Sequence, residues 1–179
     1  MRLQEEKIAS EKIFSGHVLN LCVDQVRLPN GGEAVREVVR HKGAAAMLAL
    51  DRDGGVYLVR QFRYPVGKAL LELPAGKLEA GEEPLACAKR ELLEECGLSA
   101  ETWIPMGGVW SSPGFCDERL WLFAAKGLSV LGAHPDDDEF LDIVKIPFDE
   151  AVGMVLSGEI EDSKSQILLM KAKLMGIAE

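Results

Sequence analysis

The run from Gly76 to Leu98, GKLEAGEEPLACAKRELLEECGL, constrains this chain more than any other stretch. It reads as a loop, one helix and a stop. Glu82-Glu83-Pro84 opens the helix: acids suit the positive end of the helix dipole, and Pro84 suits the first turn, where a missing N–H costs little. Gly97 supplies the C-terminal stop. The helix is therefore expected over about 83–96. At about 100° per residue, Leu85, Ala88, Leu92 and Cys96 fall on one apolar stripe that should face a core. Glu91, Glu94 and Glu95 share a neighbouring arc, because residues three and four apart sit side by side.

Three carboxylates that close repel one another, and more so when partly buried. A hard cation removes the penalty. Magnesium takes oxygen ligands and keeps waters and substrate phosphates in its shell. The competing reading of any such run is a solvated acidic face.

Charge and length narrow the class. The chain has 179 residues and a net charge of −9, with no Lys/Arg-rich run. One domain with a sizeable core is expected. Nucleic acid and anionic membrane are not expected partners, since both call for basic surface. Cys22, Cys87, Cys96 and Cys116 form no CxxC and no zinc-like spacing with His17, His41 or His134. Reduced thiols in a cytoplasmic protein are the simplest account. MRLQEEKIASEK has no signal-peptide core, and no segment approaches the roughly 20 apolar residues of a membrane span.

Strand-like stretches dominate the first half. The segments 13–28 and 34–40 flank Pro29-Asn30-Gly31-Gly32, and 44–50 and 56–62 flank Asp51-Arg52-Asp53-Gly54-Gly55; both patterns signal hairpins. A short strand is expected over 70–73, and further strands near 104–109, 119–125 and 139–145. Two helices close the chain, over about 148–157 and 163–175, each followed by glycine. Mixed strands with a helix between them indicate a layered α+β sandwich.

Those residues also carry a resemblance. Gly76, Glu82, Arg90-Glu91, Leu92, Glu94-Glu95, Gly97 and Leu98 match every fixed position of the 23-residue signature of the Nudix hydrolases. Inside the complete signature, the solvated acidic face is the weaker reading. RQFRYPVGKALLELPAGKLE, from Arg60 to Glu79, and WSSPGFCDE, from Trp110 to Glu118, resemble the ADP-ribose pyrophosphatase branch, with Pro113 at its marker proline. The likeness covers about 13–171 and takes in the DDDEF loop and DSKSQ. It implies the Nudix fold, a mixed β-sheet between helices with an N-terminal antiparallel hairpin. The implied division is a hairpin region, 1–42, for dimerisation and part of the site, and a hydrolase domain, 43–179. It implies a homodimer that uses Mg2+, or Mn2+, to hydrolyse ADP-ribose to AMP and ribose 5-phosphate. Relatives acting on ADP-glucose or GDP-mannose look alike. A non-catalytic ADP-ribose sensor is the alternative from another class, and the intact carboxylates argue against it.

The resemblance also implies roles. Glu91 and Glu95, then Glu94, are the expected metal ligands, with the backbone carbonyl of Ala75; Gly76 permits the tight loop presenting it. Arg90 is expected to orient the glutamates by ion pairing, and Glu82 to brace the loop. Glu139, within Asp136-Asp137-Asp138-Glu139, is the expected proton acceptor, with the aspartates or a signature glutamate as competitors. Arg63 is expected to reach the phosphates. Arg36 and Glu37 are expected at the adenine end, and Glu118 at a ribose hydroxyl, with Pro113 and Gly114 shaping its loop. Phe62, Trp110 and Phe115 are candidates to stack on a base, although strand aromatics are more often core.

Overall fold

The computed structural model describes residues 3–132 and 140–178. Its chain contacts divide it into two units, Met1–Gly43 with Trp110–Arg119, and Ala44–Val109 with Leu120–Glu179.

The first unit is built on a three-stranded antiparallel sheet of β1 (Glu6–Ser15), β2 (Asn20–Arg27) and β3 (Glu33–Arg40), in that order. The single strand expected over 13–28 is two strands. The chain reverses at Gly16, whose N–H donates to the Leu19 carbonyl at 2.9 Å. β1 was hidden because EKIASEKIFS buries neither face: all ten residues are exposed, so no apolar alternation marks it. Its pairing with β2 slips twice, between Lys7 and Ala9 and between Lys12 and Phe14. The residues skipped are Ile8 and Ile13, both exposed.

The second unit holds the core. Its sheet runs β10 (Leu141–Pro147), β5 (Gly55–Arg63), β4 (Ala44–Leu50), β9 (Arg119–Val130), β8 (Leu98–Trp110). β6 (Lys68–Glu72) pairs with β5, and β7 (Ala75–Lys77) with β4. β4 pairs parallel with β9 and antiparallel with β5 and β7, and β5 pairs antiparallel with β6 and β10, so the sheet is mixed. β4, AAAMLAL, is buried throughout, as a strand covered on both faces must be. The two-residue side-chain period splits it. Ala44, Ala46, Leu48 and Leu50 join one apolar cluster with Phe148, Ala151 and Val152 of α2 (Phe148–Ser157) and Leu168, Leu169 and Ala172 of α3 (Ser163–Leu174). Ala45, Met47 and Ala49 join a second with Cys87, Ala88, Leu92 and Cys96 of α1 (Pro84–Cys96). Helices therefore cover both faces, as the layered reading requires.

One local expectation needs correction. Leu85 stands 38% exposed, and Cys87 takes its place on the buried stripe. Glu83 is the N-cap residue of α1 but makes no side-chain cap bond; Glu82 turns instead to other partners, described below. The stop is as expected: Gly97 is left-handed (φ 65°), and its N–H reaches the carbonyls of Leu92 and Leu93.

Candidate active site

Strand β7 fixes the loop beside α1. Gly76 pairs with Ala45 and Ala75 with Ala46, while the Met47 N–H donates to the Pro74 carbonyl at 3.0 Å. The backbone of 74–77 is thus pinned to the most buried strand of the molecule.

Two carboxylates of α1 dock on that backbone. The Ala75 N–H donates to Glu95 Oε2 at 3.0 Å. The Glu91 carboxylate lies over Gly76 so closely that a Cβ there would stand 1.7 Å from its carboxyl carbon. Gly76 is absent from the left-handed glycines. The expectation of a conformational need is therefore corrected: glycine is required here for close approach. Glu91 is 9% and Glu95 3% exposed, and buried charge needs compensation.

Arg90 supplies part of it. Its Nε and Nη2 grip Glu82 in a fork, both at 2.9 Å. Nη1 donates to Glu91 at 2.8 Å and to Glu94 at 2.9 Å, and Nη2 also reaches the Lys77 carbonyl at 3.2 Å. Some of the carboxylate repulsion foreseen in the sequence is therefore offset by a guanidinium. Glu82 in turn accepts from the Glu79 N–H at 3.0 Å, closing the loop.

The Arg90 hydrogen bonds hold the Glu82 carboxyl down, from 4.5 to about 2. The sign follows from linkage. A carboxyl with a lowered folded pKa stabilises the fold above its unfolded pKa, and that contribution drains away as pH falls from about 4.5 toward about 2. Glu82→Gln should therefore be less stable than wild type above about pH 4.5, with the two converging at lower pH. Urea unfolding at a series of pH values checks this. Parallel curves at every pH would show that the pair contributes nothing.

Arg63, at the end of β5, is gripped from the other side. Its Nε and Nη2 donate to Glu72 at 2.7 and 2.8 Å. The Glu72 hydrogen bonds are the main reason its pKa is raised, and the charge of Glu95 adds to it. The guanidinium thus lies within electrostatic reach of Glu95 of α1. Phe62 is 59% exposed beside it.

The remaining expected residues belong to the first unit. The 111–118 loop turns through Pro113 and Gly114, with Phe115 and Cys116 N–H groups donating to the Ser112 carbonyl at 3.1 and 2.9 Å. The Val39 N–H donates to Phe115 at 2.7 Å, and the Asp117 N–H to Val39 at 3.1 Å. Asp117 accepts from Arg40 at 3.1 Å and from the His41 N–H at 2.8 Å. Glu118 Oε1 lies 3.4 Å from His41 Nδ1; that nitrogen accepts from the Gly43 N–H at 3.0 Å. Arg36 pairs with Glu5 at 2.6 Å on the surface, and Glu37 is exposed on β3. Trp110 and Phe115 are 53% and 58% exposed. The core reading of these aromatics, like that of Phe62, is thereby corrected. The Arg119 guanidinium lies 5.6 Å over the Trp110 ring.

Glu139 and the aspartates before it lie outside the described residues. Glu72, Asp117 and Lys164 carry no expectation from sequence. A lone acid in Leu70-Leu71-Glu72-Leu73 is the one signal that marks any of them.

Among the described residues no three His, Cys, Asp or Glu side chains converge as a ready metal cage. The donors at the Ala75–Gly76 backbone nonetheless fit a hard divalent ion. Glu91 and Glu95 offer buried carboxylate oxygens there, with no nitrogen or sulfur ligand among them. The thiols at hand are unsuited to that role: burial pushes Cys87 and Cys96 up to about 12.

Comparison with known proteins adds the relationships. Residues 39–169 match the model of the NUDIX domain, and residues 5–39 that of the nucleoside diphosphate sugar hydrolase N-terminal domain. The chain is 42% identical over 174 residues to an ADP-ribose pyrophosphatase of Bacillus subtilis (strain 168), covering 96% of this chain and 94% of the relative. It is 43% identical to a methanol dehydrogenase activator of Bacillus methanolicus, covering 96% and 94%. A crystal structure of an ADP compounds hydrolase superposes with a TM-score of 0.83 over 99% of this chain and 98% of that one, at 19% identity, which speaks to the fold alone.

Proposed function

The chain belongs to the Nudix hydrolase family, and on that premise we propose that it hydrolyses the diphosphate bond of ADP-ribose, giving AMP and ribose 5-phosphate. The observation that carries the reading is the docking of Glu91 and Glu95 on the Ala75–Gly76 backbone, inside the matched domain. The 42% identity to an ADP-ribose pyrophosphatase over nearly the whole chain supports the choice of sugar.

Glu91, Glu95 and the Ala75 carbonyl would hold the divalent ion, with Glu94 beside them. Mg2+, or Mn2+ in its place, would neutralise diphosphate charge and make the attacking water more acidic. Arg90 keeps the carboxylates oriented through its bonds to Glu82, Glu91 and Glu94. Arg63 donates to a phosphate oxygen. Glu139 accepts the proton of the attacking water. Arg36 and Glu37 serve the adenine end, and Glu118 a ribose hydroxyl on the loop shaped by Pro113 and Gly114.

A panel of ADP-ribose, ADP-glucose and GDP-mannose, each incubated with Mg2+, tests the reading by chromatography of the products. ADP-ribose cleaved far faster than the others, to AMP and ribose 5-phosphate, is the expected result. Preference for another sugar moves the assignment within the family. Tight ADP-ribose binding without turnover of any substrate makes the chain a sensor.

The protein acts as a homodimer in the cytoplasm. Exposed Ile8, Ile13, Phe14, Val18 and Val35 on and beside the three-stranded sheet support the dimer, since apolar groups clustered on one surface mark association sites. All four cysteines are free, which suits a reducing compartment. Among the described residues no helix is long and apolar enough to cross a membrane. Light scattering should give twice the 19.5 kDa chain mass, and Phe14→Asp should shift it toward the monomer. A wild-type mass of one chain at micromolar concentration ends the dimer proposal.

A further inference from the structure

Glu72 is the most deeply buried acid of the described chain, 1% exposed at the end of β6. Burial alone would raise its pKa, but hydrogen bonds from Arg63 and the charge of Lys164 outweigh it and keep the carboxyl ionised. Two cations thus share one carboxylate. Arg63 takes it with Nε and Nη2 at 2.7 and 2.8 Å. Lys164, 9% exposed on the first turn of α3, takes it through Nζ. Lys164 also pairs with Asp162 at 3.0 Å.

A packing strut between α3 and the strands is the plain explanation, yet the strut is built without this charge. The Leu73 N–H donates to Ser165 Oγ at 2.7 Å. Asp162 caps α3, accepting from the Ser165 N–H at 2.9 Å and its hydroxyl at 2.5 Å. Removing both charges of a buried pair for apolar groups is often neutral or stabilising, so docking does not explain the lysine.

Charge does explain it. Arg63 bonded to Glu72 alone would be a neutralised pair. With Lys164 on the same carboxylate the contacts run Arg63, Glu72, Lys164, Asp162, alternating in sign with the guanidinium at one end, and the charge of Asp162 is also felt at Arg63. The planar fork spends Nε and Nη2 on Glu72 and leaves Nη1 on its far side. The side chain of Arg63 is 38% exposed, against 2% for Glu72. The row therefore presents a fixed, still-positive guanidinium at its open end, near Glu95.

Building on the proposed function, we infer that Lys164 and Glu72 are positioning residues: Glu72 fixes Arg63, and Lys164 keeps it electropositive toward the substrate diphosphate. Lys164 touches no substrate and acts only through Arg63.

The test compares wild type, Lys164→Met, Lys164→Arg, Asp162→Asn, Arg63→Ala and the Arg63→Ala/Lys164→Met double variant. Each is measured for ADP-ribose kinetics with Mg2+, and for inorganic pyrophosphate binding by calorimetry. Lys164→Met should raise KM and the pyrophosphate Kd about tenfold while kcat changes by less than about threefold, the mark of lost uniform binding. Lys164→Arg should restore both. In the Arg63→Ala background Lys164→Met should add nothing, because an effect carried by a missing partner vanishes. Asp162→Asn keeps the helix cap and adds positive charge to the row, so KM and Kd should fall by about twofold.

Unchanged KM and Kd in Lys164→Met, or a penalty that persists without Arg63, overturns the inference. Should Lys164→Met fail to fold, Asp162→Asn decides, and unaltered or weaker binding there overturns it. Wild type that turns over no substrate refutes the proposed function instead, and the pyrophosphate arm then still judges Lys164.

Discussion

Glu95→Gln is expected to lower kcat by roughly a thousandfold while the protein folds as before. The glutamine keeps an oxygen to accept the Ala75 N–H, a bond of 3.0 Å in the native chain, so the loop stays docked and only the charge is lost. That charge is 3% exposed, and replacing a buried anion by a neutral isostere removes a desolvation cost. The melting temperature should therefore hold or rise. The activity loss reflects the few kcal/mol that a bound divalent ion contributes to a reaction of this kind, about 4 kcal/mol for a thousandfold. Single-turnover kinetics beside calorimetric melting measure both quantities. Near-normal kcat would remove Glu95 from the site. A collapsed melting temperature would make its role structural. Glu91→Gln should act in the same direction.

Gly76→Ala should be the most damaging change of a single methyl group. The added carbon would lie 1.7 Å from the Glu91 carboxyl carbon and 1.9 and 2.1 Å from its oxygens. The clash falls on the end of a flexible side chain, so the fold can yield by swinging the carboxylate aside. Gly76 has no left-handed φ to defend, and at a compatible backbone Gly→Ala gains up to about 1 kcal/mol from the unfolded state. Stability should change little. Activity should fall by about a hundredfold, the usual consequence of displacing a catalytic group by about 1 Å. Full activity in Gly76→Ala would show that the place of the Glu91 carboxylate is immaterial. A drop of many degrees in melting would show the loop, rather than the carboxylate, to be what yields.

These expectations mark what the sequence could and could not disclose. Helix α1 was legible because its start and stop are encoded locally, in Glu83-Pro84 and Gly97. β4 was legible as an apolar run, and its two-sided burial is the reason it is one. β1 was not, because an exposed strand leaves no alternation in the residues. The carboxylates of α1 could be named from spacing, but their partners could not. Arg90 bonds Glu82, eight residues back, through a loop whose path no periodicity records. The Glu72–Lys164 contact joins residues 92 apart. Such pairings are set by how α3 lies on the sheet. Leu85 departs from expectation for a related reason: of the stripe Leu85, Ala88, Leu92 and Cys96 the last three are buried, but the helix also turns Cys87, Glu91 and Glu95 inward. The acids share the buried side with the apolar residues, which a separation into polar and apolar faces does not foresee.

One alanine of β4 sets the clearance of the whole arrangement. Ala45 pairs with Gly76 of the loop that Glu91 and Glu95 touch and faces α1 in the same apolar cluster as Ala88, whereas Ala44 and Ala46 face α2 and α3. Its small size lets α1 ride low enough for the two acid side chains to reach the loop. The reach of those acids is thus a dimension machined into the floor of the molecule. Selection for catalysis therefore bears on a methyl group that no substrate will ever meet.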